Sequence, residues 1–373
     1  MQAVQSIDQA PSARPTRYLL LRFMSKELTM RQKSLSFGDK VVAWQKIYGR
    51  HDLPWQNTKD PYAVWLSEIM LQQTQVATVR DYFSRFMQRF PTVKDLANAS
   101  QEEVMGLWSG LGYYSRARNL HRAAKDVMTL YGGEFPRDAT TLQTLPGIGR
   151  STAAAIASLC FGEPIAILDA NVKRVLSRYL GFDQDLAVVR NEKLLWEKAQ
   201  TLLPTHRVKL AMPHYTQGMM DLGATLCTPK NPQCMHCPIA NHCEANKAGS
   251  PESFPVKSKK LKRSSEQLWM LYAQTKSSKV WMVQRPQSGI WAGLYCLPVF
   301  ESYAALASFI EPLNDLESQE MPVIKHVLTH KDLYLHPVSL HLKSQKSLGQ
   351  GRWIDRPSML ELGMPTPIRK LVG

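Results

Sequence analysis

The chain predicts a multi-domain protein, an all-α domain of about 210 residues followed by a smaller α/β domain. Three observations carry this. Apolar residues recur at spacings of three and four almost throughout residues 36–245, strand-like segments take over after 267, and a basic, serine- and proline-bearing stretch lies between. At 373 residues, 44% hydrophobic and 21% charged, the composition is that of a globular protein with ample core.

Residues 1–35 lack a sustained apolar period and read as a disordered tail, with Met24 and Met30 as alternative starts. Tyr18–Met24 is too short for a secretory signal and is interrupted by Arg22; no run reaches the ~18 apolar residues of a spanning helix. Val41, Val42, Trp44, Ile47 and Tyr48 form the first apolar stripe. Tyr62–Leu71, Val76–Phe90 and Leu120–Leu130 form others, with Pro61 and Pro91 near helix starts and Gly112 and Gly162 near ends.

Leu145-Pro146-Gly147-Ile148-Gly149-Arg150 falls between two helical stretches, Asp138–Thr144 and Ser151–Leu159. Gly147 and Gly149 permit a tight hairpin, because glycine adopts positive φ without penalty. Successive backbone N–H groups at the next helix's start can then face a phosphate. The reading is a helix–hairpin–helix that grips the DNA backbone without reading sequence; the plain alternative is an ordinary turn.

Cys227, Cys234, Cys237 and Cys243 leave six, two and five residues between successive thiols. A tetrathiolate of this kind suits a 4Fe–4S cluster or, less well, zinc, whose sites usually present two short-spaced pairs. A pair of disulfides is the remaining alternative, and nothing else in the chain looks secreted. Residues 246–266 form a basic linker with Pro251, Pro255 and the run Lys257, Lys259, Lys260, Lys262, Arg263. Beyond it, Leu268–Gln274 and Val280–Gln284 flank the turn Thr275–Lys279 as a hairpin, Val323–Leu328 and Leu333–Leu342 read as further strands, and Tyr303–Ile310 as one helix.

Forty-six Lys and Arg against 31 Asp and Glu give a formal charge of +15, which points to a polyanionic partner, most often nucleic acid, with an anionic membrane surface as the rival. Clustered thiolates need a reducing compartment, so the cytosol or nucleoid is the expected place.

Two carboxylates stand out. Glu68 lies in the nearly continuous apolar run Val64–Leu71, where desolvation raises a carboxyl pKa toward the value a general acid needs near neutrality. The alternative is a solvent-facing glutamate sharing its helical face with Gln72 and Gln75. Asp169 follows the apolar Ile167-Leu168 and precedes a helix, where an aspartate is also a routine N-cap. Ser151, two residues past Gly149, reads as a capping or packing residue of the helix's first turn.

Five ordered segments carry a resemblance: Leu66–Val76 (LSEIMLQQTQV), Gly110–Tyr114 (GLGYY), Leu145–Ala153 (LPGIGRSTA), Ile167–Val175 (ILDANVKRV) and the cysteine spacing. Together they resemble MutY-type adenine DNA glycosylases, of the helix–hairpin–helix superfamily that includes endonuclease III. The likeness runs from about Ser36 to the C-terminus. It implies removal of adenine mispaired with 8-oxoguanine, and with guanine, in double-stranded DNA by a monomer with a 4Fe–4S cluster on Cys227, Cys234, Cys237 and Cys243. Glu68 is then the general acid that protonates adenine N7, Asp169 the carboxylate that stabilises the oxocarbenium ion, and Asn171 a polar residue near the sugar. Gln73, Thr74 and Tyr113 match residues that wedge beside or contact the 8-oxoguanine side. Related bifunctional enzymes have a Schiff-base lysine where this chain has Ser151, so a monofunctional enzyme that leaves an abasic site is implied. Cys160 and Cys296 match no ligand and read as buried small apolar residues.

Residues 267–373 resemble the family's Nudix-like lesion-recognition domain, through Arg285-Pro286, Gly289-Ile290-Trp291 and Gly293-Leu294-Tyr295. Glu301–Asn314 holds only Glu301 and Glu311 in place of a dense glutamate motif, so nucleotide hydrolysis is not expected. The family usually has a serine before the histidine where this chain has Val327-Leu328-Thr329-His330; Thr329 keeps the hydroxyl with an added methyl, and the usual phenylalanine is missing. His326, His330, His336 and His341 read as solvated or hydrogen-bonded side chains of strand-like segments.

Overall fold

Ser36 opens the first helix, Phe37–Tyr48, its hydroxyl accepting from the Asp39 amide at 3.2 Å and satisfying one donor the helix leaves open. The computed structural model describes residues 35–56, 58–258, 263–313 and 318–373. The tail proposed over 1–35, with Met24 and Met30, lies outside the described residues except for Leu35, and so do Lys259, Lys260 and Lys262 of the linker.

The apolar period does not reach a core along the whole of every helix. In the first helix Val41 is fully buried, but Ile47 and Tyr48 are 70% and 71% exposed, because the last turn runs past the helices it packs on. Leu130 likewise ends its helix, Ser115–Tyr131, in solvent. The helices Pro61–Leu71, Val76–Arg89, Val93–Asn98, Gln101–Leu107 and Ser115–Tyr131 build one lobe around Trp65, Phe86, Leu96, Trp108 and Leu120. A second lobe gathers Phe37 and Val41 with the helices Ala170–Leu180, Val189–Thr201 and Val208–Asp221 around Leu176, Met212 and Tyr215.

One short helix, Arg150–Ile156, is shared between the lobes: Ala153 and Ile156 face the first core, Ala154 and Ala155 the second. Its run of alanines lets both lobes approach the same backbone. The helix then widens to π geometry over Ala157–Phe161 and stops at Gly162, whose φ is +71°. The helix before the hairpin is also shorter than its pattern predicts, Ala139–Leu142, with Asp138 as N-cap.

The C-terminal region is a mixed sheet: β1 (Ser264–Thr275), β2 (Val280–Gln284), β3 (Tyr295–Cys296), β4 (Val299–Phe300), β5 (Ser318–Glu320), β6 (Ile324–Val327), β7 (Lys331–Leu342) and β8 (Arg352–Ile354). β1 and β2 form the predicted hairpin, and β1 runs parallel to β7 from Ser264 opposite Lys331 to Thr275 opposite Leu342. Alternation along β1 serves two cores: Leu268, Met270 and Tyr272 face the helical region, while Leu271 and Ala273 pack under the helix Tyr303–Ile310 with Leu306, Leu340 and Leu342.

The sheet is therefore not a separate bead on a string. Its inner face continues the first helical lobe's core, and the helices Arg356–Glu361 and Thr366–Val372, absent from the sequence reading, close the joint. A Cβ on Gly106 would lie 2.0 Å from the Glu361 carbonyl oxygen, so only glycine permits this approach. Ser109 Oγ donates to the Met364 carbonyl at 3.1 Å and accepts from Arg369 Nη2 at 2.9 Å. Among the described residues, no helix is long and apolar enough to cross a membrane.

Candidate active site and DNA-facing loops

Where the two helical lobes meet, a cavity of about 680 Å³ opens, with Val64, Ser67 and Glu68 on one wall and Gln45, Lys209, Pro213 and Gln217 on another. Glu68 reaches it because Asp60 caps the Pro61–Leu71 helix, its carboxylate accepting from the Tyr62 amide at 3.0 Å, and because every other residue from Tyr62 to Met70 is buried. Burial, and then the neighbouring negative charge of Asp169, push the Glu68 carboxyl up to about 7. The helix ends at Leu71, so the solvent face that Glu68 would share with Gln72 and Gln75 does not form.

Asp169 is the N-cap of Ala170–Leu180, accepting from the Val172 amide at 2.7 Å. The capping role and closeness to Glu68 coexist. Burial raises its pKa, against the pull of the Val172 and Asn171 amides and of Arg174 and Lys173. Asn171 Oδ1 accepts from Arg174 Nη2 at 2.9 Å, and Gly223 packs so close to Asn171 that a Cβ there would fall 2.6 Å from the Asn171 Cβ. Ser151 Oγ accepts from the Leu168 amide at 3.0 Å, tying the helix after the hairpin to the strand-like approach to Asp169.

Cys160 requires a correction. It is only partly buried, and in the π turn it lines the same cavity, with burial and then Asp60 and Glu68 pushing its thiol up to about 12. Cys296 is fully buried, as read. The sequence reading also missed Asp221, which is fully buried, accepts from Arg50 Nε at 2.8 Å and Gln217 Nε2 at 2.9 Å, and so fixes two polar residues of the cavity wall. Its only sequence signal is a lone acid in the apolar stretch Met219–Leu222.

A second group of residues lies on the surface. Gln73 is exposed with φ +56° and Tyr113 is 43% exposed with φ +47°, a conformation that non-glycine residues adopt only when their surroundings hold them. Tyr113 Oη and Thr329 Oγ1 lie 2.7 Å apart, so this loop of the helical domain meets the Thr329 turn of the sheet. Arg263 donates to the carbonyls of Leu328 and Thr329 and pairs with Asp332, holding that turn from below. His330 is exposed, and its carbonyl accepts from the Ser264 amide. His336 stacks on Trp269 and bonds to Gln267, and His341 bonds to Gln274.

Thr74 Oγ1 accepts from Arg116, a 7%-exposed guanidinium that the sequence reading passed over. In the hairpin only Gly147 uses positive φ, at +77°, and a Cβ there would also meet Asn119; Gly149, with φ −81°, serves as the extended N-cap of Arg150–Ile156.

The four clustered thiols line one mostly apolar cavity with Val175, Leu222 and Ile239. Arg178, 2% exposed, donates to Cys227 Sγ at 3.4 Å, and Cys243 Sγ donates to the Arg178 carbonyl at 3.3 Å. Burial pushes the Cys237 thiol up to about 12. Four thiols lining one apolar cavity beside a buried guanidinium are the donor set of a thiolate-ligated cluster. Arg174 connects this loop to Asn171, its Nε donating to the Cys227 carbonyl at 2.7 Å and its Nη2 to Asn171 Oδ1.

Comparison with known proteins adds the following. Residues 66–201 match the HhH-GPD superfamily of base excision DNA repair proteins, residues 227–243 the iron–sulfur binding domain of endonuclease III, and residues 269–373 the NUDIX domain. The chain is 34% identical over 343 residues to adenine DNA glycosylase of Buchnera aphidicola from Schizaphis graminum, covering 90% of this chain and 97% of that protein. It is 33% identical over 404 residues to the human enzyme of the same name, covering 90% of this chain and 73% of that one. A thermostable thymine-DNA glycosylase structure superposes with a TM-score of 0.50 at 30% identity, covering 59% of this chain and 99% of that one. An iron–sulfur cluster is thus the resident group of the cysteine loop.

Proposed function

Because this chain belongs to the adenine DNA glycosylases, hydrolases of base excision repair that excise adenine from DNA, we propose that it acts on adenine opposite 8-oxoguanine, and opposite guanine, and that it is monofunctional. The observation that carries the reading is Glu68: a carboxyl held near neutrality by burial, on the wall of the cavity between the lobes, beside a second carboxylate.

The target adenine must leave the duplex to enter that cavity. Glu68 in its acid form then donates to adenine N7, so that the base departs neutral; general acid catalysis of this kind contributes ~10²–10⁴-fold. Asp169 faces the positive charge developing on the sugar. A carboxylate ~4 Å from a full charge gains ~4 kcal/mol at an effective dielectric of 20, and that charge draws Asp169 toward its ionised form. Asn171, oriented by Arg174, lies beside the sugar, and Glu68, once deprotonated, activates the attacking water. Ser151 has no amine, so no imine forms and no strand is cut.

Gln73, Thr74, Tyr113, Thr329 and His330 face the strand carrying the oxidised guanine, and Gly147 and Gly149 present backbone to a phosphate. Residues 36–245 are then the excising unit and 267–373 the lesion-reading unit, joined by 246–266. The protein acts as a monomer, in the cytosol on nucleoid DNA, and its cluster is 4Fe–4S, held by Cys227, Cys234, Cys237 and Cys243. Such a cluster supplies a rigid, charge-bearing loop beside DNA; every proton transfer above belongs to side chains.

The test is one assay on matched duplexes containing 8-oxoguanine:adenine, guanine:adenine, 8-oxoguanine:cytosine and thymine glycol:adenine. Free adenine from the first two alone, with breakage only after alkali, is the expected result. Strand nicking without alkali, or release from the other two, overturns it.

A further inference from the structure

Arg116 sits in the first turn of Ser115–Tyr131, where the helix dipole disfavours a cation, and it is buried. Its guanidinium is divided between two tasks. Nη1 donates to the carbonyls of Ile69, Met70 and Gln72 at 2.8, 2.8 and 2.6 Å, capping the end of the helix that carries Glu68. Nη2 donates to Thr74 Oγ1 and to the Gly112 carbonyl, both at 3.1 Å, and so holds the two loops in which Gln73 and Tyr113 adopt positive φ. The guanidinium also lies over the rings of Trp108 and Tyr113, 5.2 and 5.5 Å from their centroids.

Capping a helix end alone asks for much less; a single left-handed residue, usually glycine, closes many such ends. What sets this site apart is one planar fork spanning the catalytic helix and both lesion-facing loops. Lysine cannot reproduce it, because its single nitrogen has three donors and occupies one point.

Resting on the reading of Glu68 as general acid and of Gln73, Thr74 and Tyr113 as contacts to the opposite strand, we propose that Arg116 is the positioning residue that makes the rate of excision depend on the base opposite adenine. It does so by fixing the end of the Glu68 helix relative to the loops that meet that base. Displacement of Gln73, Thr74 or Tyr113 by an oxidised guanine shifts the acceptors of Nη2, and the rigid fork carries the shift to the carbonyls on Nη1.

Arg116→Lys keeps the charge and removes the fork. The experiment measures single-turnover adenine release from 8-oxoguanine:adenine and guanine:adenine duplexes, with a pH–rate profile for each. The expected result is a loss of about tenfold on the lesion duplex and much less on guanine:adenine, moving their ratio toward one. The Glu68 inflection should stay near 7, where its carboxyl is held in the wild type. Equal losses on both duplexes, no loss, or a displaced inflection overturn the proposal. Should Arg116→Lys fail to fold, Arg116→Gln takes its place; failure of both assigns Arg116 to stability alone and also overturns it. Glu68→Gln run beside them keeps the two ideas apart: wild-type turnover in that variant sinks the general-acid reading, whatever Arg116 does.

Discussion

The cavity between the helical lobes and the loops around Tyr113 obtain their chemistry by opposite means. Around Glu68 the backbone is regular helix, and its carboxyl is raised by burial and then by the charge of Asp169. At the loops the side chains of Gln73 and Tyr113 are open to solvent, and what is held out of the ordinary is the backbone, at φ +56° and +47°. Proton transfer near neutrality needs desolvation, whereas contact with a duplex needs exposure, and a held backbone is the way to keep exposed side chains in place. Arg116 lies at the boundary, with one nitrogen on each system.

The contrast is broken most directly from the buried side. Glu68→Gln should lower single-turnover adenine release by about 10²–10⁴. Asp169→Asn should lower it by about 10³, the equivalent of losing ~4 kcal/mol of charge stabilisation, with little change in melting temperature because asparagine still caps the helix. Rapid-quench kinetics with base release as readout check both; retention of wild-type rates by either would remove the cavity from the mechanism.

Next in size is the cysteine loop. Cys237→Ser, or iron chelation, should remove iron and lower Tm by about 5 °C or more, since four partly buried sulfurs lose their common centre. Iron content and calorimetry report it, and an unchanged Tm in an iron-free sample would count against a structural cluster.

Glu68 also makes a prediction about stability. Its pKa is raised in the fold, from 4.5 to about 7, so the fold favours its protonated form. That contribution is fully present below about 4.5 and is lost as pH rises through about 7. Glu68→Gln should therefore be more stable than wild type at pH 8, by about 3 kcal/mol, and nearly equal to it at pH 4. Urea denaturation at the two pH values decides. Excision by the wild type should decline over the same interval above 7, as the acid form disappears.

The smallest effects belong to the exposed side. Thr329→Ala removes the partner of Tyr113 Oη at 2.7 Å and should destabilise by only about 0.5 kcal/mol, because water replaces a half-exposed hydroxyl. Thr329→Ser should match wild type. If Thr329→Ala instead slowed guanine:adenine and 8-oxoguanine:adenine alike, the turn would not be reading the lesion.

Much of the molecule is legible in one dimension. The helical spacing, the Thr275–Lys279 hairpin, the helix Tyr303–Ile310 and the gathering of four cysteines around one cavity follow from local periodicity and from the chemistry of closely spaced residues. Their causes lie within a few neighbours along the chain. Exposure at the ends of helices does not: Ile47 and Leu130 keep the apolar period after their partners have run out. Cys160 looks like filler until the π turn places it on the cavity wall.

From its residues alone the chain specified an all-α unit, a metal-binding thiol set, an α/β unit and two candidate carboxylates, because each is written in local spacing or residue type. Tertiary structure decided that Glu68 and Asp169 are both desolvated and feel each other's charge, that the sheet joins the first helical core through Gly106, and that Arg116 bridges the Glu68 helix and the exposed loops. These depend on distances between segments 40 to 250 residues apart, and desolvation and hydrogen-bond geometry exist only once those segments have met.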